Sequence, residues 1–265
     1  MVTVSTQRQL REVRDLDFCH ACAKPISSID ATNFDHVPAQ ACFDVADRNP
    51  PLKLRTHFQC NNDHTANDEK LGQLIAAHRH MAIDPEQSRL NVKLLGTSGS
   101  GPQFAYFDNL DVVGAVRRWV GGFHAALYRE PLPPDSWFQV TTPLPRGTIR
   151  DGSVHVEPIL PQHLVFVEAL KSNRAMGRID RVVTCAAKMR YECVWVEADG
   201  DAGLFCIFGL DIYEWTGLGD GKNFGTRGCT GAYRLNSRSV PPNASIATRF
   251  IVPFKNQAPF DPFES

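Results

Sequence analysis

Phe18-Cys19-His20-Ala21-Cys22, Asp35-His36-Val37-Pro38 and His57-Phe58-Gln59-Cys60-Asn61 follow one another in the first quarter of the chain. The outer two segments each offer a pair of soft or borderline ligands separated by two residues. A tight turn of that length points both side chains at one ion, which is what a tetrahedral zinc site requires. Between the pairs stands an acidic residue joined to a histidine, able to serve a second, hard cation and a water molecule. The segment reads as a zinc-stapled scaffold that carries a hydrolytic site.

Working outward, residues 18–26 form a knuckle closed by Lys24-Pro25, and residues 33–43 an extended arm turning at Pro38. Pro50-Pro51 punctuate a loop ahead of Leu52-Lys53-Leu54-Arg55, whose alternation predicts a short strand running into the second ligand pair. A helix is predicted over 65–81, with Thr65 as N-cap, Asp68 completing a variant capping box, and Leu71, Leu74, Ile75 and His78 at helical spacing. Ile83-Asp84-Pro85 predicts a boundary, which divides the chain into a metal-bound module, 1–85, and a second domain, 86–265.

The second domain begins with strand-like sequence over 90–107, interrupted by Gly96-Thr97-Ser98-Gly99-Ser100-Gly101. That run lacks the lysine and the strand-to-helix context of a phosphate-binding loop, so it reads as a hairpin turn. An amphipathic helix is predicted over 109–129 and ends at Leu132-Pro133-Pro134. Strands are predicted over 136–142, 153–158, 190–197 and 204–215, with Asp199-Gly200-Asp201 as a turn. Phe205, Phe208, Tyr213 and Trp215 read as strand core, and 240–265 as irregular. The fold class is α+β, a ββα metal-bound module followed by a β-rich α+β domain.

Composition narrows the function classes. The 265 residues are 43% apolar, enough for real cores. There is no leader-like start and no run of eighteen apolar residues, so no membrane partner and a cytoplasmic location are expected. In that compartment the eight cysteines stay reduced. Cys19, Cys22 and Cys60 then favour metal, while Cys42, Cys185, Cys193, Cys206 and Cys229 read as buried small hydrophobes. A net charge of −1 excludes attraction to nucleic acid through bulk charge alone. Any such attraction needs a local stripe or a partner that delivers the substrate.

In order and spacing the three segments resemble the HNH endonuclease family, the ββα-metal or treble-clef nucleases, in its His-Asn-Asn form. The resemblance covers about residues 18–81. It implies a structural zinc on Cys19, Cys22 and Cys60, with His57 where the family has its fourth ligand, although Cys60-x₃-His64 leaves His64 as an alternative. His57 departs from the usual cysteine and Ala23 from a common knuckle glycine. The middle Asn of the pattern has only Asn49 as a near counterpart.

The chemistry expected of such a site can be stated from the residues. Phosphodiester hydrolysis needs a nucleophile aimed in line with the leaving oxygen and a cation to neutralise the phosphate. His36, with an ordinary pKa of about 6.5, is the candidate general base. Asp35 on the neighbouring face, with the Asn61 amide oxygen, would hold Mg²⁺ or another divalent ion. The implied activity is divalent-metal-dependent hydrolysis of DNA, with the second domain supplying substrate binding or protein-partner contacts. The competing reading is a catalytically silent zinc-stabilised module whose function resides in 86–265.

Lys171, Arg174, Arg178 and Arg181 recur at helical spacing and would align as a phosphate-tracking stripe if their segment were helical, with an ordinary solvated face as the alternative. His20, His78 and His80 read as surface or helix-face residues rather than ligands.

Overall fold

The computed structural model describes residues 1–80, 91–95, 104–108, 110–141, 147–150, 153–156, 161–197, 204–213, 229–235, 241, 244 and 246–247. The expected boundary at 83–85 and the glycine run 96–101 lie outside the described residues. So do the Asp199-Gly200-Asp201 turn, Trp215 and almost all of 240–265. The side chains of His78 and His80 are likewise not described.

The chain opens with β1 (Thr3–Val4) and α1 (Gln7–Glu12), the latter closed by a reciprocal Thr6–Gln9 capping box. A knuckle over Cys19–Cys22 follows, then β2 (Thr32–His36), two short 3₁₀ turns, β3 (Lys53–His57), α2 (Phe58–Asn62) and α3 (Thr65–His80). β4 (Asn91–Leu95) and β5 (Phe104–Asp108) pair antiparallel, as the strand-like sequence on either side of the glycine run predicts. Then come α4 (Val112–Tyr128), β6 (Trp137–Thr141), the antiparallel pair β7 (Gly147–Arg150) and β8 (Ser153–Val156), and α5 (Pro161–Ala175). The chain continues with β9 (Asp180–Thr184), β10 (Met189–Glu197), β11 (Leu204–Ile212), β12 (Cys229–Arg234) and β13 (Ile246–Ala247). The protein is mixed α+β, and no helix among the described residues is long and apolar enough to cross a membrane.

Seven strands form the main sheet in the order β1-β9-β10-β11-β12-β6, with β13 also on β10. Its centre is covered on both faces, so β10 and β11 are apolar nearly throughout rather than alternating. Tyr191, Cys193 and Trp195 of β10 join the core under α4, with Trp119, Val120 and Phe123. Val194 and Val196, one position out of phase, join Phe166, Ala169 and Leu170 of α5. The predicted core aromatics Phe205 and Phe208 are buried, one on each side. Tyr213 instead reaches the 3₁₀ segment, where its hydroxyl accepts from the Asp44 N–H at 2.7 Å.

Three features depart from expectation. The N-terminal segment is part of the main sheet, because Thr3 and Val4 pair in parallel with Arg181 and Val182. The apolar core is also continuous across residue 85, joining Val37, Leu52, Leu54 and Leu71 to Trp119, Phe123 and Tyr233. Third, Thr65 is the first residue of α3 rather than its cap: its hydroxyl bonds the Asn61 carbonyl at 3.4 Å, and Asp68 is turned inward to another partner.

α4 is the strut between the two halves. Asp111 caps its N-terminus through the Gly114 N–H at 2.7 Å and exchanges two backbone bonds with the Asn67 amide of α3. Gly121 and Gly122 let α4 lie directly on the knuckle. A Cβ at Gly122 would fall 2.8 Å from Val37 Cγ1, and one at Gly121 would fall 3.2 Å from the His20 carbonyl oxygen.

Candidate metal centre

The knuckle is shaped by its backbone. The Ala23 N–H donates to the Cys19 carbonyl at 2.8 Å and the Cys19 N–H to the Lys24 carbonyl at 2.9 Å, while Phe18 bridges to Pro25. Ala23 takes φ 62°, the left-handed conformation for which glycine is the usual residue. The β2–β3 hairpin then returns the chain so that His57, its last residue, and Cys60, in the first turn of α2, face Cys19 and Cys22. The ligand atoms of Cys19, Cys22, His57 and Cys60 all lie within 4.8 Å of one another, a group that could hold a metal ion. His57 Nδ1 is the inward nitrogen, 3.4 Å from Cys22 Sγ and 4.0 Å from Cys60 Sγ.

His64 does not join this group. α2 ends at Asn62 and α3 begins at Thr65, so the four-residue step from Cys60 to His64 crosses a helix break and loses the common face that a continuous helix would give. The outer nitrogen of His57, Nε2, lies 3.6 Å from Asp30 Oδ2. Asp30 is itself held by the Ser27 N–H at 2.7 Å and the Ser27 hydroxyl at 2.9 Å. A carboxylate behind a ligating imidazole is the usual device for orienting the ring.

The electrostatics suit a cation. Burial works against the Cys19 thiolate, but the Thr56 hydroxyl and the backbone groups of His57, Cys22 and Ala21 outweigh it and bring the thiol down to about 6. Cys60 is pushed up to about 12, first by burial and then by the neighbouring Cys19 and Cys22 sulfurs. Such crowding is relieved when a divalent ion binds, because coordinating thiols are deprotonated outright.

Asp35 and His36 are split between the two faces of the hairpin. Cross-strand partners share a face, which puts Phe34, Arg55, His36 and Lys53 outside and Asp35, Leu54 and Thr56 inside. Asp35 is 4% exposed and its Oδ2 accepts from Arg118 of α4 at 2.6 Å. The other arm of Arg118 binds Asp68, so one guanidinium spans two buried carboxylates. His20, expected at the surface, is instead 2% exposed and puts Nε2 3.2 Å from the same Asp35 oxygen, without hydrogen-bond geometry. Burial disfavours the Asp35 charge, yet His20 and Arg118 hold the group below the usual carboxylate range.

His36 is part-buried, its pKa lowered by burial, by Lys53 and by Arg48 against the opposing pull of Asp35. Its Nε2 is buried without a hydrogen-bond partner, a cost that structures tend to carry at working sites. Asn61 lies part-exposed on α2, and its carbonyl receives the His64 N–H at 3.3 Å. Asn49 is exposed, and its carbonyl is taken by the Ala186 N–H of the β9–β10 turn. His64 is shifted down by burial and by Arg118, which places it within the field of the same ion network.

The basic stripe is not one helical face. α5 stops at Ala175, Gly177 turns the chain with φ 69°, and Arg181 lies on β9. Of the two cations on the helix, Lys171 pairs with Glu168 at 2.8 Å and Arg174 with Glu192.

No protein-family model, no curated protein and no solved structure matches the chain. Function must therefore be argued from these residues. The residue that sequence reading missed is Arg118. Its signal was present, since it lies among Val116, Trp119 and Val120 on the apolar face of α4, and a charge on such a face calls for a buried partner.

Proposed function

We propose that the chain is an endonuclease of HNH type, in which a zinc-held hairpin presents His36 as general base to a nucleic-acid phosphodiester. The observation that carries the reading is His36 itself: an imidazole on the outer face of the hairpin, its pKa shifted down, with Lys53 directly across the strands. Cys19, Cys22, His57 and Cys60 would hold the zinc, a Cys₃His set common in structural sites. Zinc there supplies folding energy to the hairpin and takes no part in the reaction.

In the proposed step a water attacks phosphorus and gives its proton to His36, the bond from phosphorus to the leaving oxygen breaks, that oxygen takes up a proton from solvent, and His36 later returns its own to solvent. Lys53, across the strands from His36, would meet the charge that grows on the phosphate. A second, hard cation does not fit Asp35 as it stands, because that carboxylate is buried and engaged by Arg118. No step is assigned to such an ion.

The engagement of Asp35 is also what favours the competing reading, a zinc-stabilised binding module without catalysis. Nicking of supercoiled plasmid by the zinc-loaded chain, with and without added Mg²⁺, separates the two. His36→Ala is expected to lower the rate by about 10² to 10⁴ while zinc content and melting temperature stay constant. Cleavage by His36→Ala at the wild-type rate, or none by the wild type under any condition, would remove the nuclease reading.

A further inference from the structure

The outer face of the β2–β3 hairpin carries a feature that the overall charge conceals. Register places Phe34 opposite Arg55 and His36 opposite Lys53, so an aromatic ring, an imidazole and two cations share one side of a two-stranded ribbon. Arg14, from the turn after α1, stacks its guanidinium 4.4 Å above the Phe34 ring centroid. The Arg55 N–H donates to the Arg14 carbonyl at 2.9 Å, which fixes that turn against the hairpin.

Phe34 stays 39% exposed on that face. Among the described residues no ion pair engages Lys53 or Arg55. Arg14 meets only its neighbour Asp15, at 3.3 Å on the surface, a pair of little energetic weight. On α5, Arg174 is matched by the buried Glu192, and Lys171 has a surface pair with Glu168.

We infer that this face, Arg14, Phe34, Lys53 and Arg55, is the docking surface for a single-stranded stretch of nucleic acid, its backbone on the cations and an unpaired base against Phe34. The inference rests on the nuclease reading only for what happens next at His36, and binding can be measured without cleavage. Charge complementarity carries it: Lys53 and Arg55, which no ion pair engages among the described residues, are interleaved with an exposed ring and flanked by Arg14, and together these supply the two elements of single-strand binding, an electrostatic track and a stacking platform. The geometry also brings the strand to His36, since that residue lies two along from Phe34 on the same face. A chain of net charge −1 can then bind a polyanion through this patch alone.

The test uses the full zinc-loaded chain and a fluorescein-labelled oligodeoxynucleotide, as a single strand and as its duplex, with anisotropy followed against salt. The single strand is expected to bind more tightly than the duplex. Arg14→Gln and Arg55→Gln should each reduce the salt slope by about one. Phe34→Leu should weaken single-strand binding roughly 5-fold or more while leaving the slope nearly unchanged. Lys171→Gln/Arg174→Gln should bind as wild type, and zinc content and far-ultraviolet dichroism of all variants verify folding.

Hairpin variants that bind with wild-type affinity and slope overturn the inference, even if His36-dependent cleavage persists. A wild-type chain that binds neither oligonucleotide at about 50 mM salt overturns it as well. Binding that follows the hairpin residues without any cleavage supports the surface and counts against the nuclease reading alone.

Discussion

The β2–β3 hairpin and the main sheet solve the same problem with different means. β10, at the centre of seven strands, is buried on both faces by α4 and α5, and its stability comes from area: Tyr191, Trp195, Tyr233 and Phe208 are each within 1% of complete burial. The hairpin has two strands, one buried face and an outer face given to Phe34, His36 and cations. Such a ribbon is marginal on its own. Polar devices support it instead: a cluster of four metal-type ligands at one end and the Asp35–Arg118–Asp68 network beneath. The lesson is that the exposed face, where chemistry can take place, is available because its stability is supplied from the end and from below.

Metal removal should break this comparison most visibly. A structural zinc contributes on the order of 10 kcal/mol to a small site at neutral pH. Chelation, or Cys60→Ser, is expected to abolish hydrogen-exchange protection through the knuckle, hairpin and α2 while β10 and β11 keep theirs. Uniform loss across both regions would mean that the two halves unfold as one unit through their shared core.

Next in size is Arg118→Met, which leaves two carboxylates buried without their cation. Breaking a buried pair in this way costs about 3–5 kcal/mol, and thermal denaturation with bound zinc measures it. A triple variant that adds Asp35→Asn and Asp68→Asn should recover part of the loss. No recovery would place the role of Arg118 in packing rather than charge.

A kinetic expectation sharpens the contrast at the outer face. Burial, Lys53 and Arg48 lower the His36 pKa, so its neutral, base-competent form persists to a lower pH than that of an ordinary histidine. Activity should therefore rise with pH along an acid limb whose midpoint lies below about 6.5, and be level by neutrality. A limb centred above that value would assign the base to another group.

The smallest effect is expected at Asp30, behind the metal cluster. Asp30→Ala should weaken metal affinity by about 10- to 100-fold, measured against a chromophoric chelator. In a His57→Cys background, where there is no ring to orient, the same change should have little effect. An equal loss in both backgrounds would show that Asp30 only shapes the loop at Ser27.

Much of this was legible in the sequence where the signal is local. Cys19 with Cys22 and His57 with Cys60 are each brought together by one short turn, so spacing alone names them. α4 follows from its helical period, β6, β10 and β11 from their β-branched and aromatic residues, and the buried state of Cys42, Cys185, Cys193 and Cys206 from their apolar surroundings. Local periodicity misled where chain direction changed: Lys171 to Arg181 keeps helical spacing although the helix ends at Ala175.

What only the tertiary structure decided are pairings between residues far apart in the chain. Asp35 reads from sequence as a ligand awaiting a hard ion, and becomes the buried partner of Arg118 because Gly121 and Gly122 let α4 settle onto the knuckle. β1 carries no strand prediction and becomes a sheet strand by pairing in parallel with β9. His20 reads as a surface residue and is buried by the same approach of α4. The sequence by itself determined which groups can bind a metal or accept a proton, since that is a property of residue type and spacing. Which of them remain free to do so depends on packing from distant segments, because a carboxylate next to a guanidinium is no longer available to an ion.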